Sequence, residues 1–336
     1  MRSHRFALLG FLLVLAPLRV LAQPLEVVAT VPDLADLAET IGGDTVSVVS
    51  LAKGPQDVHF IEARPSFIQK LHDADLLLQV GMELESGWLP PLLQAARNPR
   101  VQPGAAGSLD ASTAIAPLEV PQGRIDRSMG DVHPLGNPHY LSDPLNGLRV
   151  AAAIRDRLAR LQPADAERFA AHYERFAERL VTQLVGADLA ARHSAAEIVA
   201  AVENGTLASL RASSDAPLGG WLGRTGARGR RPAVEDHRAW AYFARRFDLD
   251  LVGALEPLPG IAPTTRHLAE IVARMRSRDV SLILATPYVS LRHAEFVAQQ
   301  TGARIAELAH QVGSRAGTES YLAMIDYNVR QLDASR

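Results

Sequence analysis

The feature that most limits what this chain can fold into is an alternation that runs twice along it. Short apolar runs rich in β-branched residues are separated by stretches of helical periodicity, once in each half. Strands spaced by helices in this way build βαβ units and parallel sheets, because a parallel neighbour can be reached only by a long crossover. In the first half, residues 25–31, 44–52 and 74–80 predict strands, with helices over 32–41 and 65–72 between them. In the second half, 231–235, 249–255, 281–286 and 303–308 predict strands, with helices over 238–247, 264–278 and 291–301. The expected fold class is α/β, with two lobes that each hold a parallel sheet flanked by helices. At 47% hydrophobic residues, a chain of 336 residues can bury two modest cores.

Between the halves the pattern changes. Residues 144–161 predict one helix and 164–185 a second, with Phe169, Tyr173, Phe176, Leu180 and Leu184 at spacings of three and four. Pro163 stands where a first helical turn tolerates proline. The second helix would be about 30 Å long at 1.5 Å per residue. It is either an ordinary amphipathic helix of the second lobe or one long rigid helix joining the lobes, and its position midway between them favours the joining rod. The expected division is therefore a first lobe over 23–162, a linking helix over 163–186 and a second lobe over 187–336.

Residues 1–22 read as a secretory signal peptide. Arg2 and Arg5 precede the apolar run 6–18, and Val20, Leu21 and Ala22 offer a cleavage site. The run falls short of the ~20 residues that span a bilayer, so the alternative of a membrane anchor is set aside. The chain has no cysteine, which excludes disulfides, thiolate ligands and a lipidated N-terminal Cys. A free periplasmic protein, expected to be a monomer, follows from these two points. Cleavage removes Arg2, Arg5 and Arg19 and no acid, making the formal charge of −2 more negative, so nucleic acid is not an expected partner.

Three histidines stand in separate loop-like stretches: Asp57-Val58-His59-Phe60, Gly136-Asn137-Pro138-His139-Tyr140 and Glu235-Asp236-His237-Arg238. Imidazole is the commonest side-chain ligand for zinc, and distant loops can share one ion if the fold brings them together. Ligands in open α/β sheets gather beyond the carboxyl ends of the strands, and His59 and His237 each follow a predicted strand. His72, His172, His193, His267 and His293 fall on predicted helices with no partner in register and are expected to be solvated. His133 lies in a Gly- and Pro-rich loop shortly before His139; it either binds the metal, passes it inward or caps the loop.

These motifs resemble the solute-binding proteins of ATP-driven zinc and manganese importers, a periplasmic metal-binding family. The resemblance rests on Asp57-Val58-His59-Phe60 with Arg64-Pro65-Ser66, on Gly136 to Tyr140 with Asp143-Pro144, and on His237 with Trp240, Tyr242, Phe243, Arg246 and Phe247. Gly81-Met82-Glu83-Leu84-Glu85, Trp88 and Leu255-Glu256-Pro257 add to it. It implies two α/β lobes joined by a rigid helix, with His59 and His139 from the first lobe and His237 from the second as metal ligands. Relatives place an aspartate after the last strand, where this chain has Leu308-Ala309-His310-Gln311. His310 is thus the candidate fourth ligand, with water, His133 or another carboxylate as alternatives.

A set of imidazoles points to Zn2+ as the transported ligand, since manganese and iron sites of the family draw half their ligands from carboxylates. The implied partners are a membrane permease and its cytoplasmic ATPase, the two parts of an ABC transporter. Whether another periplasmic protein delivers the metal stays open. Residues 104–132 hold no histidine, so no metal-collecting loop is expected, while 186–230 looks longer than the family pattern needs. In that stretch Trp221, flanked by glycines, either rides on a flap or anchors a loop. Two other functions are weighed: a zinc hydrolase, for which no His-Glu-x-x-His pairing or other general base is present, and an adhesin, for which the histidines would be incidental.

Overall fold

The computed structural model describes residues 23–123, 132–226, 229–258 and 260–333. The expected signal peptide over 1–22, part of the 104–132 segment and two residues of the basic run near Arg224 lie outside them.

The first half contains β1 (Leu25–Ala29), α1 (Pro32–Gly42), β2 (Val46–Ser50), α2 (Pro65–Asp73), β3 (Leu76–Gln79), α3 (Leu89–Ala96) and β4 (Ser108–Asp110). The middle is helical: α4 (Pro144–Leu161), α5 (Ala166–Val185), α6 (Ala187–Ala190), α7 (Ala195–Glu203), α8 (Leu207–Ser214) and α9 (Gly220–Gly226). The second half then runs through β5 (Arg231–Glu235), α10 (Ala241–Arg246), β6 (Leu249–Ala254), α11 (Thr265–Ser277), β7 (Leu282–Ala285), α12 (Arg292–Thr301), β8 (Arg304–Glu307) and α13 (Tyr321–Asp333). The first sheet has the order β2-β1-β3-β4 and the second β6-β5-β7-β8, with every pair parallel. The same order in both halves puts the carboxyl ends of both sheets at the positions where crossovers diverge, which is where loops can form a crevice.

α5 behaves as the joining element. Its apolar face, Phe169, Phe176, Leu180 and Leu184, is buried, and the helix packs on α1 and α4 of the first half and on α7 and α9 beyond its end. At its start His172 Nδ1 lies 2.9 Å from the Ile41 carbonyl. At its end Gly220, at φ +58°, presses on the α5 backbone so closely that an added Cβ would lie 2.3 Å from the Gln183 carbonyl oxygen. Trp221 is fully buried, and its Nε1 donates to Asp326 Oδ1 on α13 at 3.0 Å, so it anchors the segment and is no part of a flap.

The expectation of two cores needs correction. One apolar cluster runs from Val27 and Leu34 through Phe169 and Leu184 to Leu282, Tyr321 and Leu332, spanning both halves. A smaller cluster, with Val234, Ile283, Ile271 and Val297, fills the other face of the second sheet beneath α11 and α12. The helices α4, α5 and α13 merge what two separate sheets would keep apart. A buried ion pair also crosses the halves: Arg246 grips Asp143 through Nε at 2.8 Å and Nη2 at 3.0 Å, and Asp143 is fully buried. Among the described residues no helix is long and apolar enough to cross a membrane.

Candidate metal centre

His59 lies in the loop after β2. The ladder continues for two residues past the strand, Leu51 N–H donating to the Ala29 carbonyl at 2.9 Å and Ala52 N–H to that of Thr30 at 3.1 Å. Asp57 then closes a local turn. Its Oδ1 accepts the His59 backbone N–H at 3.0 Å and lies 2.7 Å from the ring Nδ1. An acceptor at Nδ1 places the proton there and leaves the Nε2 lone pair for a metal. Trp88 Nε1 donates to the Val58 carbonyl at 3.0 Å and holds the loop in place.

The other two ligands are set by the same device. Asn137 Oδ1 accepts the His139 backbone N–H at 2.9 Å, and Asn137 Nδ2 donates to the Arg238 carbonyl at 2.9 Å, linking this loop to the one that carries His237. Asp236 Oδ1 accepts the His237 N–H at 2.7 Å, while the Thr286 N–H and hydroxyl satisfy the rest of that carboxylate at 2.7 and 2.8 Å. The ladder past β5 sets Glu256 opposite Asp236, its N–H donating to the Asp236 carbonyl at 3.0 Å. That register brings Glu256 Oε2 to 2.8 Å from His237 Nδ1, again leaving Nε2 free.

The three rings converge. One ligand nitrogen from each of His59, His139 and His237 lies within 4.8 Å of the others. Two nitrogens on one tetrahedral zinc stand roughly 3.3 Å apart, given Zn–N distances of about 2.0–2.1 Å, so a small contraction suffices. His133 lies beside this set of three: its Nε2 is 3.2 Å from His59 Nε2. A hydrogen bond to the Met82 backbone orients the His133 ring. Met82 and Glu83 follow Gly81 at φ of +52°, +65° and +83°, a left-handed run that costs energy at the two non-glycine positions and is stored beside the site.

His310 is not in the cluster. Its Nε2 lies 3.1 Å from the Gln56 carbonyl and 2.7 Å from Gln311 Nε2, and its buried Nδ1 has no hydrogen-bond partner among the described residues. Of the histidines expected in solvent, His72 is exposed, whereas His172, His193, His267 and His293 are half-buried. His72 faces the Ala96 carbonyl at 2.9 Å, and His267 that of Ala254 at 3.0 Å, as His172 does that of Ile41. Each fastens its helix to a neighbouring element. His193 precedes α7 instead of lying on a helix. Asp57 and Glu256 were missed as orienting residues, although an Asp two positions before His59 was a local signal for one of them.

Burial pushes the His139 imidazole well below its ordinary value, and the nearby His59 and His237 rings add to the effect. Burial, then the same two rings, brings His133 down to about 4. Burial works to raise the Asp57 carboxyl, but the His59 hydrogen bond and charge more than offset it. His133 and His139 are therefore neutral at neutral pH, the state in which imidazole binds a metal. Borderline-soft nitrogen ligands suit zinc among the available first-row ions, and no carboxylate belongs to the three-nitrogen set.

Comparison with known proteins shows the family and the fold. The family model described as "Zinc-uptake complex component A periplasmic" matches residues 27–196 and 221–335. The gap between the two matched parts falls within the stretch expected to be longer than the family pattern. The iron-binding protein YfeA of Yersinia pestis is 24% identical over 92% of this chain and 85% of its own length. The high-affinity zinc uptake system protein ZnuA of Yersinia pestis is 23% identical over 88% of this chain and 87% of its own. A crystal structure of ZnuA superposes with a TM-score of 0.66 at 20% identity, covering 93% of this chain and 99% of that one.

Proposed function

Since this chain belongs to the family of periplasmic zinc-uptake component A proteins, metal-binding proteins of ABC transporters and not enzymes, we propose that it captures Zn2+ in the cleft between its lobes. In this reading His59, His139 and His237 bind the ion and His133 completes the shell, His310 standing behind it. The ion then passes to a membrane permease driven by a cytoplasmic ATPase. Residues 1–22 direct export, and the mature protein works in the periplasm without a lipid anchor.

One observation carries the choice of metal. Three ring nitrogens from three loops share a space the size of one coordination shell, and two of the rings are turned into it by Asp57 and Glu256. Relatives are named for iron as well as zinc, so family alone leaves the ion open. The all-nitrogen set is what favours zinc over manganese or iron.

The test is the metal content of the purified mature protein, followed by chelator competition on single variants. We expect one zinc per chain, retained against a large excess of manganese. His59→Ala, His139→Ala and His237→Ala should each weaken zinc binding by about 100-fold or more, while His293→Ala stays at the wild-type value. Manganese or iron displacing zinc at equal concentration would overturn the assignment of the metal, and wild-type affinity in any of the three variants would remove that residue from the shell.

A further inference from the structure

Behind the histidine cluster lies a small chamber walled by residues of both lobes, among them Asp33, His139, Trp240, His310 and Gln311. About 30 Å³ of it is open to the centres of water-sized spheres. That is room for two or three waters at about 10–15 Å³ each. Four of its wall residues carry a buried polar atom with no hydrogen-bond partner among the described residues: Asp33 Oδ1, Trp240 Nε1, His310 Nδ1 and Gln311 Oε1. Asp33, Trp240 and Gln311 are 1%, 1% and 4% exposed. Leaving one such atom unpaired costs about 1–3 kcal/mol, and four in one chamber point to a common partner.

We propose that this chamber is an internal water site, and that its water ties Asp33 of the first lobe to Trp240, His310 and Gln311 of the second. The donor count fits a single molecule. Gln311 Nε2, which can only donate, serves both the Gln56 carbonyl at 3.2 Å and His310 Nε2 at 2.7 Å. With this amide as the donor of the triangle, His310 Nε2 accepts although it also faces that carbonyl at 3.1 Å, and the ring proton sits on Nδ1. The chamber then presents two donors, Trp240 Nε1–H and His310 Nδ1–H, and two acceptors, Asp33 Oδ1 and Gln311 Oε1. One water accepts twice and donates twice, which satisfies all four.

The water extends a seam that the protein already makes. Val312 N–H donates to Asp33 Oδ2 at 3.2 Å, and Gln311 Nε2 donates to the Gln56 carbonyl at 3.2 Å. Gly54 and Gly313 meet backbone to backbone: a Cβ on Gly54 would lie 2.3 Å from the Gly313 carbonyl carbon. The loop after β8 is thus clasped to Asp33 and to the loop that carries His59. Opening this clasp frees one wall of the metal site, so the water slows metal release. That last step rests on the metal-capture reading above, whereas the water itself does not.

The experiment has two arms, both at pH 8, where Asp33, raised to about 7 by burial, is ionised. A high-resolution crystal structure of the wild-type protein should show a peak within about 3.2 Å of at least three of the four atoms. Direct pairing of Asp33 with Trp240 or His310, or a peak with anomalous signal at the zinc edge, overturns the proposal. In the second arm, zinc release to excess chelator is timed. Trp240→Phe keeps an aromatic ring, though a smaller one, and removes the donor, and Asp33→Leu removes the acceptor and puts an apolar side chain in its place. Each should release zinc about tenfold faster than wild type. Release at the wild-type rate from Trp240→Phe overturns the clasp, even if Asp33→Leu does not fold. A protein that binds no zinc leaves the crystallographic arm intact and counts against the metal reading instead.

Discussion

A metal shell is a matter of single side chains and their protons. His133 is the informative one, because its nitrogen is already held at 3.2 Å from that of His59 while its imidazole is brought down to about 4. A ring with so low a value carries no proton to be displaced between pH 5.5 and 7.5. His133→Ala should therefore weaken zinc binding by about the same factor, roughly tenfold, at both pH values. An ordinary histidine would contribute more at pH 7.5, so a penalty that grows with pH in chelator titrations would show that His133 titrates normally. The sequence made the three principal ligands legible because each follows an Asx residue in a distinctive short motif. It could not rank His133 above His310. Both lie in loops, and only the folded positions of Met82 and Gln311 decide which nitrogen faces the cluster.

Among the elements, α5 has the most at stake, since its far end is locked by glycines and not by side chains. Gly220→Ala would force a Cβ into a left-handed position and against the Gln183 carbonyl, and should cost about 2 kcal/mol or more. Urea unfolding of the metal-free protein reads this directly, and an unchanged midpoint would mean that the α5–α9 junction yields. Strands and helices with clear periodicity were legible to within a few residues, as for β5 and α4. Two elements were not. β4 is only Ser108–Asp110, too short and too polar to show a β pattern, and α3 opens Leu89-Pro90-Pro91, where tandem prolines at a helical start hide the helix behind them.

The whole molecule is bound by a shared core and by Asp143 with Arg246, so wide hinge motion is not built into it. X-ray scattering curves of the metal-free and zinc-loaded protein should nearly coincide, with changes confined to loops. A clear fall in the radius of gyration on loading would refute the rigid joint. Arg246→Met, which leaves the buried Asp143 carboxylate only the more distant Arg245 at 3.6 Å as a cationic partner, should cost about 3 kcal/mol in unfolding experiments. That the lobes share one core was not legible in the sequence. Periodicity shows which face of a helix is apolar, but not that α4, α5 and α13 pack on α1 and join the apolar surfaces of both halves into one cluster.

The convergence of His59, His139 and His237 from such distant parts of the chain has a thermodynamic corollary. Apart from His133 and His139, no short segment holds two ligands of the shell, so an unfolded chain offers the ion little beyond isolated imidazoles. Zinc is then bound almost wholly by the native state, and every tenfold rise of free zinc above the dissociation constant adds about 1.4 kcal/mol to folding stability. The melting temperature of this protein thus serves as a gauge of the free zinc around it. A chain that meets too little zinc is correspondingly easier to unfold and, for any protease that acts on open chains, easier to remove.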